Sequence, residues 1–259
     1  MYHSVTFGSR NTFSDWHLVP DERPVIAMPE PKIVTVDVPG RNGVLDLTES
    51  VRNFPVYNNR KGKLKFHVLN GYGDWHGRYE LIANYLHGKN MQVRLEDEPG
   101  WYYTGRITVD EWKSNNNGTW SDITFGYDLQ PYKLSEDTTM VTSWKWDTFS
   151  FVSGFIIGKR LKEIPITSSW KRIYLEDYIG HMPVTPTFII QGGSVDIRVV
   201  NDELGLDITK WAVSSGAYTW PEIIFTNMSN FNDIYVEMKS TSSSSANRKV
   251  SISYRWGTL

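Results

Sequence analysis

The sequence predicts a mainly β protein with a single helix, arranged as two β domains. Short runs in which apolar and polar residues alternate recur along the 259 residues, and Gly-, Pro- and Asn-rich segments separate them. One segment alone has apolar residues at the three- and four-residue spacing of a helix. A polar stretch near residues 135–142 interrupts the β pattern. We therefore expect domains at residues 1–134 and 135–259, each long enough to bury a core.

The composition excludes several classes of protein. Lys and Arg number 27 and Asp and Glu number 29, a net charge of −2, which argues against broad electrostatic binding to nucleic acid. Cysteine is absent, so disulfides and thiolate metal sites are impossible. The N-terminus shows no secretory signal, and no stretch approaches the roughly 20 apolar residues of a membrane span, so we expect no membrane insertion. Aromatic residues at 14% suit β-sheets, packed interfaces and sugar-stacking surfaces alike.

The first thirty residues show no clear periodicity. Pro20, Pro24, Pro29 and Pro31 exclude a long helix there and favour extended backbone. We expect this segment to run along a surface or to reach a neighbouring molecule.

The β pattern begins at Lys32. Apolar residues alternate over residues 33–38, a Pro-Gly-Arg-Asn-Gly turn follows at 39–43, and alternation resumes over 45–48. An Asn-rich segment at 115–118 predicts a hairpin tip. Further strands are predicted where apolar residues alternate at 64–68, 91–95, 107–109 and 123–129.

The predicted helix follows Asp74, a favourable N-cap, and ends at Gly88. Gly77 weakens its first turn by about 1 kcal/mol relative to alanine, so packing must stabilise the helix. The residues of its predicted apolar face are Trp75, Tyr79, Ile82, Ala83 and Leu86.

The second half returns to short strands separated by turn signals, which is typical of a β-sandwich. Gly192 and Gly193 mark one turn, and a serine-rich loop covers residues 240–247. The predicted strands are 188–190, 195–199, 223–225, 234–238 and a last strand at 250–256.

Candidate chemical sites are sparse. The six histidines lack the spacing of a zinc site. The acidic run at residues 96–98 suggests calcium binding or acid–base chemistry, but it ends at Pro99 without the glycine turn of a calcium loop, so we interpret it as a solvated turn. No serine lies in a Gly-x-Ser-x-Gly elbow, and the glycines at 71–77 have the wrong spacing for a dinucleotide loop. We assign no catalytic, cofactor-binding or metal residue.

The second half also contains tryptophans that admit two interpretations. They are Trp144, Trp146, Trp211, Trp220 and Trp256. Some of them are either sugar-stacking platforms or core and interface residues of the sandwich. We favour core and interface residues, because nothing in the sequence places a group of them on one exposed face.

Several motifs of the first half occur in a specific order and spacing. They are residues 39–49, 84–89, 96–106, Trp112 and 127–132. Together they resemble the N-terminal domain of the distal tail (Dit) proteins of long-tailed bacteriophages, the siphoviruses. Residues 221–223, 232–236 and 253–257 are similar to the second half of that family, more loosely.

This resemblance implies a β-sandwich with one packed helix and an extended arm or hairpin, followed by a galectin-like β-sandwich. It implies a homohexameric ring in the virion, at the tip of the tail, folded and assembled in the host cytoplasm. One ring face would meet the tail tube protein and the other the tail-tip protein that carries the lysin or fibre. The galectin-like domains would anchor receptor-binding or baseplate proteins. The family is structural, so we expect an adaptor without catalysis or cofactor and without sequence-specific binding of DNA.

Two other functions stay open. The second half would act as a carbohydrate-binding, lectin-like module for host adhesion if it exposed a tryptophan cluster. A carbohydrate hydrolase on a sandwich scaffold would need two carboxylates converging on a cleft. Fold alone does not decide between these functions. The sequence identifies neither the ring-interface residues nor sugar-binding residues, nor does it show where the last strand pairs.

Overall fold

The chain forms two compact units, each with its own hydrophobic core. The computed structural model describes residues 2–50, 54–68, 75–114, 120–140, 161–175, 182–202, 204–226, 234–242 and 247–259. The first unit comprises Met1–Lys133 with Leu259, and the second comprises Leu134–Thr258. Both are built mainly from β-strands, as predicted.

The first unit contains one antiparallel sheet, one helix and a separate two-stranded hairpin. In chain order its elements are β1 (Val5–Phe7), β2 (Arg10–Asn11), β3 (Leu18–Pro20), β4 (Thr35–Asp37), β5 (Val44–Asp46), β6 (Arg60–Val68), α1 (Trp75–Leu86), β7 (Lys89–Leu95), β8 (Trp101–Ser114) and β9 (Ser121–Leu129). The sheet has the order β2-β1-β7-β8-β9-β6-β3, and β4 pairs with β5 outside it.

The helix α1 covers this sheet through the face that its spacing predicts. Ile82 and Leu86 are buried, and Trp75, Tyr79 and Ala83 are partly buried against the same core. After the helix, Gly88 has a φ of +73°, the left-handed conformation that commonly ends helices. The predicted cap Asp74 lies outside the described residues.

The central strands follow their predicted alternation. In β6 the side chains of Leu64, Phe66 and Val68 are buried while the residues between them are exposed. The strands β8 and β9 pair as far as Ser114 and Ser121, on either side of the predicted hairpin tip at 115–118, which lies outside the described residues.

The start of the chain differs from the prediction. Its first twenty residues do not run along a surface, because β1 and β3 belong to the sheet and Val5, Phe7 and Leu18 are fully buried. These strands have three residues each, too few to show an alternating pattern in the sequence. Beyond Pro20 the segment becomes largely exposed, and Val25 and Met28 face solvent.

The second unit is a β-sandwich. Its strands are β10 (Lys133–Thr138), β11 (Ile164–Pro165), β12 (Lys171–Tyr174), β13 (Thr187–Gln191), β14 (Val195–Asn201), β15 (Leu206–Val213), β16 (Gly216–Thr219), β17 (Ile234–Ser240), β18 (Lys249–Ser253) and β19 (Arg255–Thr258). One four-stranded sheet has the order β11-β18-β13-β16 and the other the order β12-β17-β14-β15. Alternate residues of both sheets meet in one core, among them Phe188, Ile252, Ile197 and Val236.

Two predicted strands of this unit differ in the structure. Residues 223–225 form no regular strand: Ile223 and Phe225 are fully buried, but only Phe225 pairs, through an isolated bridge to Val184. An apolar run can fill a core from a loop as well as from a strand, and short runs do not distinguish the two.

The predicted last strand, 250–256, is two strands. It divides at Tyr254, whose backbone N–H donates to Thr139 Oγ1. The strand β18 pairs with β11 and β13 of the sandwich, and β19 pairs with β10. Residues 250–253 therefore belong to the second sandwich, which answers where the end of the chain pairs.

Candidate functional site

The most exposed apolar feature of the first unit is the segment 25–59, which leaves the sheet after β3 and returns at β6. We call it the arm. Arg60, which is 2% exposed, holds its root: Nη1 donates to Ala27 O at 3.0 Å and Nε donates to Pro131 O at 2.7 Å. The Ala27 N–H donates to the Tyr127 hydroxyl at 2.9 Å. Burial lowers the pKa of the Arg60 guanidinium, which lies 5.4 Å from the centre of the Tyr103 ring.

Above the root, the outgoing and returning halves of the arm lie side by side. The Asn58 N–H donates to Glu30 O at 2.8 Å, and the Lys32 N–H donates to Val56 O at 2.7 Å. The described residues of the arm, 25–50 and 54–59, therefore include two paired segments that lead to the hairpin β4–β5; residues 51–53 lie outside the described residues.

The hairpin has the turn that the sequence predicts at residues 39–43. Val36 lies directly opposite Leu45 in the register of β4 and β5. Gly40 and Gly43 have φ values of +82° and +75°, which side-chain-bearing residues rarely adopt. The predicted extended hairpin is confirmed, and its strands pair with each other rather than with the main sheet.

One face of this hairpin is apolar and exposed. Side chains two residues apart on a strand share a face, so Val34, Val36, Leu45 and Leu47 lie together. Val34 is 53% exposed, Val36 is 43% exposed and Leu47 is 37% exposed. Of the fourteen exposed large hydrophobic side chains in the described part of the chain, eight lie between residues 25 and 56. Because contiguous exposed apolar surface is typical of interaction sites, the arm is a candidate interaction surface.

The acidic run at 96–98 fastens the N-terminus of the chain. Asp97 lies 2.8 Å from His3 Nδ1 and accepts a bond from Arg23 Nε at 2.7 Å, and its side chain is 8% exposed. Glu96 accepts bonds from the backbone and hydroxyl of Ser4. The interpretation of a solvated turn is therefore wrong for Asp97. The hydrogen bonds from His3 and then Arg23 hold the pKa of Asp97 below its ordinary value.

A second polar cluster surrounds His67. Its Nδ1 lies 2.5 Å from Asp122 Oδ1 and its Nε2 lies 2.6 Å from Asp21 Oδ1. Lys65 Nζ lies 3.1 Å from Asp21 and 3.2 Å from Asp122. The hydrogen bond to Asp122 raises the pKa of His67, although burial opposes it. In the described residues no group of His, Asp and Glu side chains is arranged to hold a metal ion.

We expect this histidine to give the first unit a small dependence of stability on pH. A pKa raised by folding contributes stability that is complete below the ordinary value of 6.5 and is lost as the pH rises through the raised value. The side chain is 46% exposed, so the effect should stay below about 1 kcal/mol. Urea unfolding on both sides of pH 6.5 should show this loss, and His67→Gln should abolish it. His76→Gln, at a histidine that is 73% exposed, is the control; equal slopes in all three proteins would contradict the assignment.

The tryptophans of the second unit divide between core and surface. Trp256 is buried and Trp220 is partly buried against the core, as the core interpretation predicts. Trp211 is 65% exposed, so it is not a core residue, and whether it is an interface residue or a sugar-stacking residue stays open. The sequence did not single out Trp170, whose ring centre lies 6.3 Å from that of Trp211. Trp144 and Trp146 lie outside the described residues.

No helix among the described residues is long and apolar enough to cross a membrane. Neither a protein-family model nor a curated protein sequence matches the chain.

Among solved structures, the chain is similar to the crystal structure of the Dit protein of SPP1. The TM-score is 0.59, the identity is 13%, and the match covers 100% of both chains. That protein is described as a paradigm of the hub adsorption apparatus in phages that infect Gram-positive bacteria. At this identity the likeness shows the fold, and it extends over the whole chain. It confirms the fold class and the resemblance to Dit proteins that the sequence motifs predict.

Proposed function

We propose that this protein is a structural adaptor of a bacteriophage tail tip that forms a homohexameric ring. The ring joins the tail tube to the tail-tip protein that carries the lysin or fibre, and it anchors receptor-binding or baseplate proteins in the virion. The likeness in fold to a hub protein of a phage adsorption apparatus, along the full length of both chains, supports this proposal.

The exposed arm is the observation that carries the proposal. A two-stranded hairpin is marginally stable alone in water, and its apolar face would gain about 25 cal/mol for each Å² that it buries. A second copy of this chain is the natural occupant. In a cyclic assembly the same element of every copy meets the same surface of the next copy, so one arm per chain closes a ring.

The charge and the anchoring of the arm agree with such an assembly. The net charge of −2 gives little repulsion between copies. The buried Arg60 holds the root of the arm in place through hydrogen bonds. Part of the conformational entropy of the arm is therefore lost on folding and not on binding to a neighbouring copy. Without cysteine, no disulfide can link the copies, so packing, hydrogen bonds and ion pairs must hold a permanent ring.

A charged pair on the apolar face of the hairpin tests the proposal. The double variant Val36→Lys, Leu45→Glu removes two apolar side chains that face each other and replaces them with opposite charges, which preserves pairing within the hairpin. We expect the affinity between copies to fall at least about 100-fold, so that the hexamer becomes a monomer by light scattering.

The matched control changes two residues on the other face of the same strands. Thr35→Lys and Val44→Lys lie opposite Asp46 and Asp37, so each new charge gains a partner across the hairpin. This variant should keep the mass of the unchanged protein. Equal masses for the control and the test variant, whether both hexameric or both monomeric, would show that the apolar face of the arm does not hold the ring.

A further inference from the structure

The outer face of the sheet β12-β17-β14-β15 carries two exposed tryptophans beside a group of paired charged side chains. The inward residues of these strands fill the sandwich core, so the residues between them face outward. Trp170 immediately precedes β12 and Trp211 lies on β15, at opposite edges of this face. Trp170 is 40% exposed and Trp211 is 65% exposed, although tryptophan is the side chain that gains most from burial.

Lys239 of β17 contacts both indole rings. Its Nζ is 4.8 Å from the centre of the Trp170 ring and 5.6 Å from that of Trp211. The rings meet edge to face, with an angle of 70° between their planes. Lys239 is itself 3.5 Å from Asp196, whose side chain is 8% exposed. Contacts with each other and with Lys239 therefore restrict the orientations of the two rings.

A β-bulge sets the direction of Trp211. The register between β14 and β15 shifts next to Asp196, and Ala212 has a φ of +51°. Asp196 Oδ1 accepts a hydrogen bond from the Ala212 N–H at 2.8 Å, which holds this conformation. Left-handed backbone at a residue other than glycine costs energy and recurs at binding sites, where bulges redirect a side chain.

Two residues further along these strands, a row of charged side chains crosses the same face: Arg172 of β12, Glu237 of β17 and Arg198 of β14. Arg172 donates two hydrogen bonds to Glu237 Oε1, at 2.8 and 2.7 Å, and Arg198 donates to Glu237 Oε2 at 3.0 Å. Arg198 also donates two bonds to Asp207. Planar guanidinium and carboxylate groups in fixed positions present paired donors and acceptors at defined spacing.

We propose that this face binds a neutral saccharide, with a sugar ring stacked on Trp211 and its hydroxyls bonded to the row formed by Arg172, Glu237 and Arg198. A pyranose offers an apolar C–H face for an indole and adjacent hydroxyls that both donate and accept. Ligand sites commonly combine aromatic side chains with a few fixed polar groups in this way. The inference concerns a binding activity of the second unit and does not depend on the proposed ring.

The charges of the face favour a neutral ligand over an anionic one. Its three cationic side chains are each paired with a carboxylate, so no net positive charge is left to attract an anion. The pairs are Arg172 with Glu237, Arg198 with Glu237 and Asp207, and Lys239 with Asp196.

A protein partner is the less favoured occupant. The centres of protein interfaces are depleted of Lys, Asp and Glu, whereas here Lys239, Asp196 and Glu237 lie on the two middle strands of the sheet. Desolvating fixed ion pairs under a protein would be costly, while hydroxyl groups can replace the water that they bind.

An array of neutral and anionic glycans, probed with the full chain, tests the inference. We expect binding of at least one neutral glycan, with a Kd on the order of 1 mM or tighter when that oligosaccharide is titrated by saturation-transfer NMR. Trp211→Ala should weaken this binding at least about tenfold. Trp211→Tyr, which keeps a stacking ring, should retain most of it. Trp120→Ala, at an exposed tryptophan of the first unit, should bind as the unchanged protein does.

The other outcomes would overturn the inference. They are binding of anionic glycans alone, the absence of binding to every neutral glycan, and a Kd that Trp211→Ala leaves unchanged. If Trp211→Ala changes the mass of the assembled protein without changing glycan binding, the face is a protein contact. Since Trp211 is exposed, its replacement should leave the fold intact, and a circular dichroism spectrum equal to that of the unchanged protein establishes this.

Discussion

Replacing Phe125 with alanine is expected to lower the free energy of unfolding of the first unit by about 3–5 kcal/mol. Phe125 is 1% exposed at the centre of β9. Its ring centre lies 5.4 Å from those of Phe7 and Phe66 and 6.4 Å from that of Trp16. The substitution removes a large ring from a group of four aromatic side chains, and rigid strands on both sides prevent the cavity from closing.

Hydrogen exchange followed by mass spectrometry measures this loss separately in the two units. Protection should fall in peptides of β6, β8 and β9 and persist in those of the second unit, which has its own core. Phe188→Ala, at a fully buried phenylalanine of the second unit, should give the reverse pattern. A uniform loss of protection in both units after either substitution would contradict independent cores.

We expect Arg60→Met to destabilise the first unit by roughly 2–4 kcal/mol and to weaken assembly at the same time. Methionine has a similar length but no donor, so the carbonyls of Ala27 and Pro131 lose their hydrogen bonds, at about 1–3 kcal/mol each. Removing a buried charge offsets part of this cost. With its root released, the arm loses the position from which it would meet a neighbouring copy.

Lys61→Met, one residue further along the same strand, is the control for Arg60→Met. The Lys61 side chain is 74% exposed, so this change should alter stability by no more than about 0.5 kcal/mol. Urea unfolding gives the stability of each variant, and light scattering gives its mass. Equal effects of the two substitutions on both quantities would show that Arg60 does not anchor the arm.

Local patterns in the sequence predict the regular part of this fold. The alternation of Leu64, Phe66 and Val68 predicts β6 because one face of that strand is buried and the other is exposed to solvent. The spacing of Ile82 and Leu86 predicts the buried stripe of α1 for the same reason. The turn at 39–43 follows from Gly40 and Gly43, because glycine adopts the left-handed backbone of a turn at little cost.

Such local patterns do not predict contacts between residues that are distant along the chain. Arg60 lies in a polar stretch of the sequence, and its burial depends on carbonyls at Ala27 and Pro131 that only the folded sheet brings close. The acidic run that contains Asp97 is predicted to be a solvated turn. The partners of Asp97, His3 and Arg23, lie far away along the chain, so no local pattern indicates its burial.

The candidate surfaces show the same limit. The sequence predicts that the valines of the arm lie in strands, but it does not predict that they are exposed, since an alternating strand is normally buried on one face. Trp170 and Trp211 become neighbours across a sheet that also contains Lys239, and nothing in their sequence spacing indicates this. A tryptophan is usually predicted to be buried, so the exposed pair is visible only in the structure.

The mass of the full chain in solution tests the central claim most directly. Light scattering over a range of concentrations, with negative-stain images of the same fractions, measures both the copy number and the shape. The proposed adaptor predicts a species of about six times 29.9 kDa that appears as a ring with a central opening. A mass of 29.9 kDa at every concentration, or a stable assembly without a ring, would contradict it.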